Sequence, residues 1–304
     1  MTVMRHFSRR LLYLLAAAVL PLLMIGCEEN VTAVTGTDQA FSFYGVLRPV
    51  ADTQYISIYP ISDVLAPTEA EPLEGTVSAT NVTTGETYQM RDSVVLEENG
   101  HYAHFAWMPI RARYGHTYEI RAENPANQMS SVQVTVPPEA SLELREPEER
   151  FSVGVLNPVF VDGDVPRLLH VEVEYHIKFA EGEPQATTTY MTVSYQGKPQ
   201  KVEGGWLLNI NLSDDFEKLR SRLRATDDFS IGYGIRMLDM TLRLAVVNDE
   251  WNPPEGTFDD DVLVQPGTMS NVQNGFGFVG AGFRLQEKWR PDDEYLERAG
   301  WTAL

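Results

Sequence analysis

The chain has 304 residues, with 43 acidic residues against 24 Lys and Arg, a net charge of −19 and one cysteine, Cys27. So acidic a chain is unsuited to nucleic acid or anionic membrane surfaces, which attract Lys and Arg. A single cysteine excludes an internal disulfide, and the length gives room for two ordinary domains.

In chain order, the first segment is basic and then apolar. Arg5, Arg9 and Arg10 precede Leu11 to Ile25, a run of fifteen residues without charge. A spanning helix needs about 20 apolar residues, whereas a basic start, a short apolar run and small residues at a cut site make a secretory signal. The run ends Met24-Ile25-Gly26-Cys27, which resembles the lipobox of bacterial lipoproteins. That resemblance implies cleavage before Cys27, a diacylglycerol on its sulfur and an acylated amine. Each buried CH2 of such an anchor contributes about 0.8 kcal/mol. Loss of a segment carrying three arginines would take the net charge from −19 to about −22. The expected division is therefore residues 1–26 as lipoprotein signal and 27–39 as a polar, Thr-rich lipidated tether.

From Ala40 the pattern changes to period two. Thr53 to Tyr59, Thr76 to Val82, Glu86 to Met90, His101 to Trp107, Thr117 to Ala122 and Ser131 to Val136 read as strands. Thr84-Gly85 reads as a hairpin turn. Roughly seven short strands in about 100 residues predict an immunoglobulin-like β-sandwich over 40–137. Pro137-Pro138 stops the alternation, and the Glu- and Pro-rich segment 138–150 reads as a linker.

Residues 151–304 read as a second β-rich, sandwich-like domain. In Leu168 to Phe179, Leu169, Val171, Val173, Tyr175, Ile177 and Phe179 share one face, and His170, Glu172, Glu174, His176 and Lys178 share the other. Thr187 to Tyr195, Trp206 to Leu212 and Met240 to Asn248 behave similarly. One helix is predicted near 214–224, with Asp214 and Glu217 as a capping box and Phe216, Leu219 and Leu223 on its apolar face. Arg220, Arg222 and Arg224 close it, which suits the helix dipole better than an anion site. A second short helix is predicted from Pro291 to Ala299, with Gly300 just past its end. The fold class expected is mainly β, with two sandwich-like domains.

Motifs for chemistry are sparse. His101 and His104 sit three apart in a strand, on opposite faces. His170 and His176 share a face, but about 20 Å of strand separates them, against the roughly 2 Å of a metal–nitrogen bond. All four read as ordinary strand residues. Gly275-Phe-Gly-Phe-Val-Gly280 matches G-x-G-x-x-G, yet its Gly/Phe alternation is strand-like rather than the strand–turn–helix of a dinucleotide site. The glycines would admit a neighbouring chain or ring. Asp162-Gly-Asp164 and Asp259 to Asp261 carry oxygen ligands but not EF-hand spacing. They read as solvated loops, with calcium as the alternative. No G-x-S-x-G occurs, and no spacing marks a pair of glycosidase carboxylates. No catalytic residue, metal or cofactor is therefore assigned. Trp206 reads as buried. In the Pro-rich loop 251–258, Trp251 and Phe258 are the candidate exposed binding contacts.

Five stretches, in order and spacing, resemble a family: GTVSATNVTTGETY at 75–88, NGHYAHF at 99–105, YGHTYEIRAEN at 114–124, SVQVTVP at 131–137 and SNVQNGFGFVGAGF at 270–283. They resemble the outer-membrane lipoproteins of Bacteroidota-type bacteria grouped as domain-of-unknown-function family 4249, over roughly residues 40–285. The late Ser-Asn-Val-x-Asn-Gly-x-Gly block is the most specific element. The resemblance implies β-sandwich domains, no catalytic motif, and company with TonB-dependent outer-membrane transporters. Glu28-Glu29 after the cysteine resembles a surface-export signal. The leading expectation is a non-enzymatic outer-membrane lipoprotein, an accessory or binding component of a TonB-dependent nutrient-uptake or cell-surface system. The alternatives are a stand-alone surface carbohydrate- or peptide-binding lipoprotein and an exported carboxylate-based hydrolase.

Overall fold

The computed structural model describes residues 39–61, 70–96, 100, 102–179, 187–225, 234–251 and 270–302. Cys27, His101, Phe258 and Asp259 to Asp261 lie outside the described residues. Alternating apolar and polar side chains dominate the described chain, and it forms seventeen strands and two helices. The strands of the first half are β1 (Phe41–Leu47), β2 (Gln54–Pro60), β3 (Thr76–Asn81), β4 (Glu86–Gln89), β5 (Arg91–Leu96), β6 (Tyr102–Met108), β7 (Thr117–Glu123) and β8 (Met129–Thr135). There follow β9 (Ser141–Leu144), β10 (Glu148–Arg150), β11 (Gly154–Asp162), β12 (Arg167–Phe179), β13 (Thr187–Ser194), β14 (Gln200–Val202) and β15 (Gly205–Asn211). Helix α1 (Leu212–Arg224), β16 (Ile235–Val247), β17 (Gly275–Trp289) and helix α2 (Asp293–Arg298) complete the order. The fold is mainly β and sandwich-like.

One long sheet, in the order β13-β12-β16-β17-β1-β2-β6-β5, forms one layer. Two shorter sheets face it. The sheet β4-β3-β7-β8 packs on the β1-β2-β6 end, where Phe41, Phe43, Ile56 and Ile58 meet Val77, Ile120, Val132 and Val134 in one core. The sheet containing β11 and β15, with α1, packs on the β12-β16 end, where Val173, Tyr175 and Leu242 meet Val159, Leu208 and Leu219 in a second core. The segment 138–150, expected as a plain linker, contributes β9 and β10, which pair with β11. Its Leu142 and Leu144 pack on the second core, which its Glu-rich composition hid.

Strand β17 joins the two ends of the long sheet. Its first part, Gly275 to Ala281, pairs parallel with β1, and its second part, Gly282 to Trp289, pairs antiparallel with β16. On the free edge of the first part, side chains replace a neighbouring strand. The Val279 N–H donates to Asn271 Oδ1 at 3.0 Å, and Asn271 Nδ2 donates to the Val279 carbonyl at 2.8 Å. Asn248, 2 % exposed, serves Ala281 with its Oδ1 accepting from the Ala281 N–H at 3.1 Å and its backbone N–H donating to the Ala281 carbonyl at 3.0 Å. An unpaired backbone group so buried would cost free energy comparable to a lost hydrogen bond, so these amides complete the ladder.

Two expectations need correction in detail. Helix α1 is capped by Asn211, whose side chain accepts from the Asp214 N–H at 3.1 Å, rather than by Asp214. In β12 the alternation slips at its start. His170 has φ of 50°, and the β16 register jumps between Leu169 and Glu172. The bulge takes up an extra residue, so Leu168 is buried where Leu169 was expected.

Candidate functional site

The outward face of the long sheet changes character along its length. Over β12, β13 and β16 it is wet and ionic. Arg243 bonds Glu174 at 2.7 Å, and that guanidinium holds the Glu174 carboxyl below the usual carboxylate range. His176 Nδ1 lies 3.2 Å from Asp239, whose other neighbour is Lys288 at 3.0 Å, and its ring stacks on Tyr190 at 4.4 Å. His176 is a strand histidine satisfied by its row. His104 points the other way, 8 % exposed, with Nδ1 3.0 Å from Asp92.

Over β1, β2, β5 and β6 the outward face turns aromatic. Strand β2 sends Gln54, Ile56 and Ile58 inward, so Tyr55, Ser57 and Tyr59 face out. Cross-strand register then sets Tyr55 opposite Trp107, and Trp107 opposite Arg91. Ser57 stands opposite Phe105, and Phe105 opposite Ser93. The Arg91 guanidinium carbon lies 5.1 Å from the Trp107 ring centroid, and Trp107 Nε1 donates to Ser93 Oγ at 2.9 Å. The indole is thus fixed by a hydroxyl at its edge and a cation at its face, the latter contributing about 0.5–1 kcal/mol at an exposed site. Tyr55 is 56 % exposed. Trp, Tyr and Arg are the residue types that carry most binding energy in protein interfaces, and here one row holds all three.

Trp251 lies on the same side of the sheet but at β17. Its ring meets Phe278 edge-on at 5.6 Å. A Cβ built on Gly280 would fall 2.5 Å from it, so the glycine admits the indole. Trp251 is half-buried. The G-x-G-x-x-G stretch is strand throughout, and Gly277, with φ of 93°, lies against the Phe43 carbonyl. Trp206 is half-buried rather than buried. Its Nε1 reaches the Val165 carbonyl at 2.9 Å, and Lys201 covers its ring at 5.9 Å. Asp162 and Asp164 are exposed, and Asp164 lies 3.5 Å from Lys201.

The largest departures from ordinary pKa values occur in a buried cluster that sequence reasoning missed. Asp215 accepts from Tyr175 and from Tyr195, both at 2.6 Å, and from Lys218 at 2.9 Å. Burial first, and then the Asp215 charge, push both phenols well up. Asp215 is 0 % exposed and surrounded by its donors, so the cluster ties α1 to β12 rather than meeting a ligand. Its signal in the sequence was an acidic residue at a helix start, which ordinarily means a solvated, dipole-favoured carboxylate.

The aromatic row was missed for a different reason. Tyr55 and Trp107 are each readable as outward positions of their strands, but only the pairing of β2 with β6, and of β6 with β5, places them and Arg91 side by side. Comparison of the chain with protein-family models gives no match, and comparison with curated proteins gives none.

Proposed function

We propose that this chain is a non-enzymatic lipoprotein, anchored in the outer membrane through Cys27, that binds a protein partner through the row Tyr55–Trp107–Arg91. The partner in this reading is a TonB-dependent transporter, as the family resemblance implies. The observation that carries the binding role is the row itself. An aromatic pair and an arginine on one rigid sheet face give a large contact area at small entropic cost. Support for the anchor comes from Gly26-Cys27 after an apolar run.

The test is cross-linked capture from native outer membranes with a C-terminal tag, comparing the unaltered chain with Tyr55→Ala and Arg91→Glu. Both positions are exposed, so the fold tolerates either change. Stoichiometric recovery of a transporter barrel, lost in the variants, is the expected result. Recovery of the chain alone would overturn the accessory reading.

A second reading has an observation of its own. Ser57 and Ser93 flank the aromatic row with hydroxyls, as a sugar-stacking surface would. Binding on a glycan array that Tyr55→Ala abolishes, without a captured barrel, would select it.

A further inference from the structure

A hollow of about 510 Å³ lies at the irregular segment between β6 and β7, well within the size range of small-molecule sites. Its lining combines Ile110, Ala112 and Tyr118 with Tyr88 and Tyr114. Arg111 and Arg113 also line it, two residues apart in the same segment, with more than half of each side chain exposed. The backbone there is pinned. Tyr118, 1 % exposed, accepts from the Arg113 N–H at 3.0 Å and from Asn81 at 3.3 Å. On the other flank Tyr114 meets Phe283 edge-on at 5.1 Å, and so reaches the second core. These anchors fix the backbone from which the two arginines project.

Each guanidinium already grips a carboxylate. Arg111 Nε lies 3.1 Å from Asp52 Oδ1, and Arg113 lies 3.6 Å from Glu86. Glu86 is held below the usual carboxylate range by hydrogen bonds from Thr84 and Tyr88 and by Arg113. Arg111 meets a single oxygen of Asp52 and Arg113 stands 3.6 Å from Glu86, so each guanidinium, with five N–H donors, keeps donors for an incoming carboxylate. The guanidinium fork matches a carboxylate through two parallel bonds, and the apolar and phenolic lining suits a ring or branched alkyl body.

We propose that the hollow binds small organic carboxylates with an apolar body, held by Arg111 and Arg113 over Tyr88 and Tyr114. This site is separate from the Tyr55–Trp107–Arg91 row and stands whether or not that row meets a partner.

The experiment is isothermal titration of the detergent-solubilised full chain with 3-phenylpropionate, 4-methylpentanoate and N-acetylphenylalanine. Two controls are 3-phenylpropanol, which keeps the body without the charge, and acetate, which keeps the charge without the body. Saturable binding of at least one of the three carboxylates is expected. It should be at least about tenfold tighter than either control, and weakened about tenfold or more by Arg111→Gln with Arg113→Gln. Tyr190→Ala, an exposed tyrosine outside the hollow, should leave it unchanged. Three outcomes would overturn the proposal: no saturable binding by any of the three, equal binding of 3-phenylpropanol, or binding untouched in the double variant while circular dichroism shows it folded.

Discussion

Asn248 and Ala281 exchange two hydrogen bonds at the point where β17 changes partners. The Asn248 N–H donates to the Ala281 carbonyl at 3.0 Å, and the Ala281 N–H donates to Asn248 Oδ1 at 3.1 Å. The side chain thereby continues a ladder that the backbone of β16 has just left, since the last β16 pair is Val247 with Gly282. Strand β17 can pass from one core to the other because an amide fills the gap.

Removing that amide leaves the buried Ala281 N–H without an acceptor. Asn248→Ala should lower unfolding free energy by about 1–3 kcal/mol. Asn248→Asp keeps the acceptor oxygen, and loses the donor bond to Glu250 beside it. Urea titration of both variants checks this. A loss of under about 0.5 kcal/mol in Asn248→Ala would show that the ladder closes without it.

Two glycines separate space from strain. At Gly85 φ is 78° and nothing lies near a built Cβ, so Gly85→Ala meets only the backbone penalty of about 1–2 kcal/mol. At Gly277 φ is 93° and a Cβ would fall 2.2 Å from the Phe43 carbonyl, so the β1–β17 pairing must open. Gly277→Ala should therefore be the more damaging by several kcal/mol. Parallel thermal melts decide it, and equal melting temperatures would contradict the close approach.

The β pattern itself was legible wherever one face is wet. Strand β12 showed its alternation plainly because His176 and Glu174 face solvent across from Tyr175 and Ile177. Helix α1 was legible through Phe216, Leu219 and Leu223. What stayed hidden was non-local. A bulge at His170 depends on what β16 offers opposite it, and a single-residue slip exchanges the faces. The capping role of Asn211 was hidden because Asp214, a better-known signal, stood three residues on. Asn271 carries no signal of its own in the sequence, because its service to Val279 exists only once β17 has taken its place beside β1.

The tyrosines on Asp215 predict alkaline sensitivity. Both phenols are raised above the unfolded value of about 10, so the folded chain holds their protons more tightly than the unfolded chain does. Their contribution is complete below about pH 10 and declines as pH rises through and beyond that value. Denaturant midpoints measured from pH 8 to 11.5 should fall above about pH 10, and fall less steeply in Tyr195→Phe. A flat profile over that interval would be inconsistent with the buried phenols.

Asp215→Asn keeps the size of the side chain and removes its charge. Hydrogen bonds to a buried charged group are the stronger kind, so the variant should lose roughly 3 kcal/mol. The loss should carry a signature in near-ultraviolet circular dichroism. Trp301 stacks on Tyr175 at 5.6 Å and meets Phe216 at 5.3 Å, so disturbance of the tyrosine reaches the indole.

For the proposed anchor the expectation is simple. Cys27→Ala should move the chain from the membrane pellet to the soluble fraction, and metabolic labelling with palmitate should mark only the unaltered chain. Retention of the variant in membranes would remove the lipid anchor from the reading.

The parallel pairing of β1 with β17 also sets how the molecule answers to mechanical load. A pull that enters the chain upstream of Phe41 draws β1 from its leading end. The second core holds β17 at its trailing end, beyond Gly282. Because the two strands run the same way, the force shears the seven pairs from Phe41–Gly275 to Leu47–Ala281 together rather than peeling them one at a time. The joint between the two halves of the sheet is thus oriented to resist tension that enters ahead of Phe41.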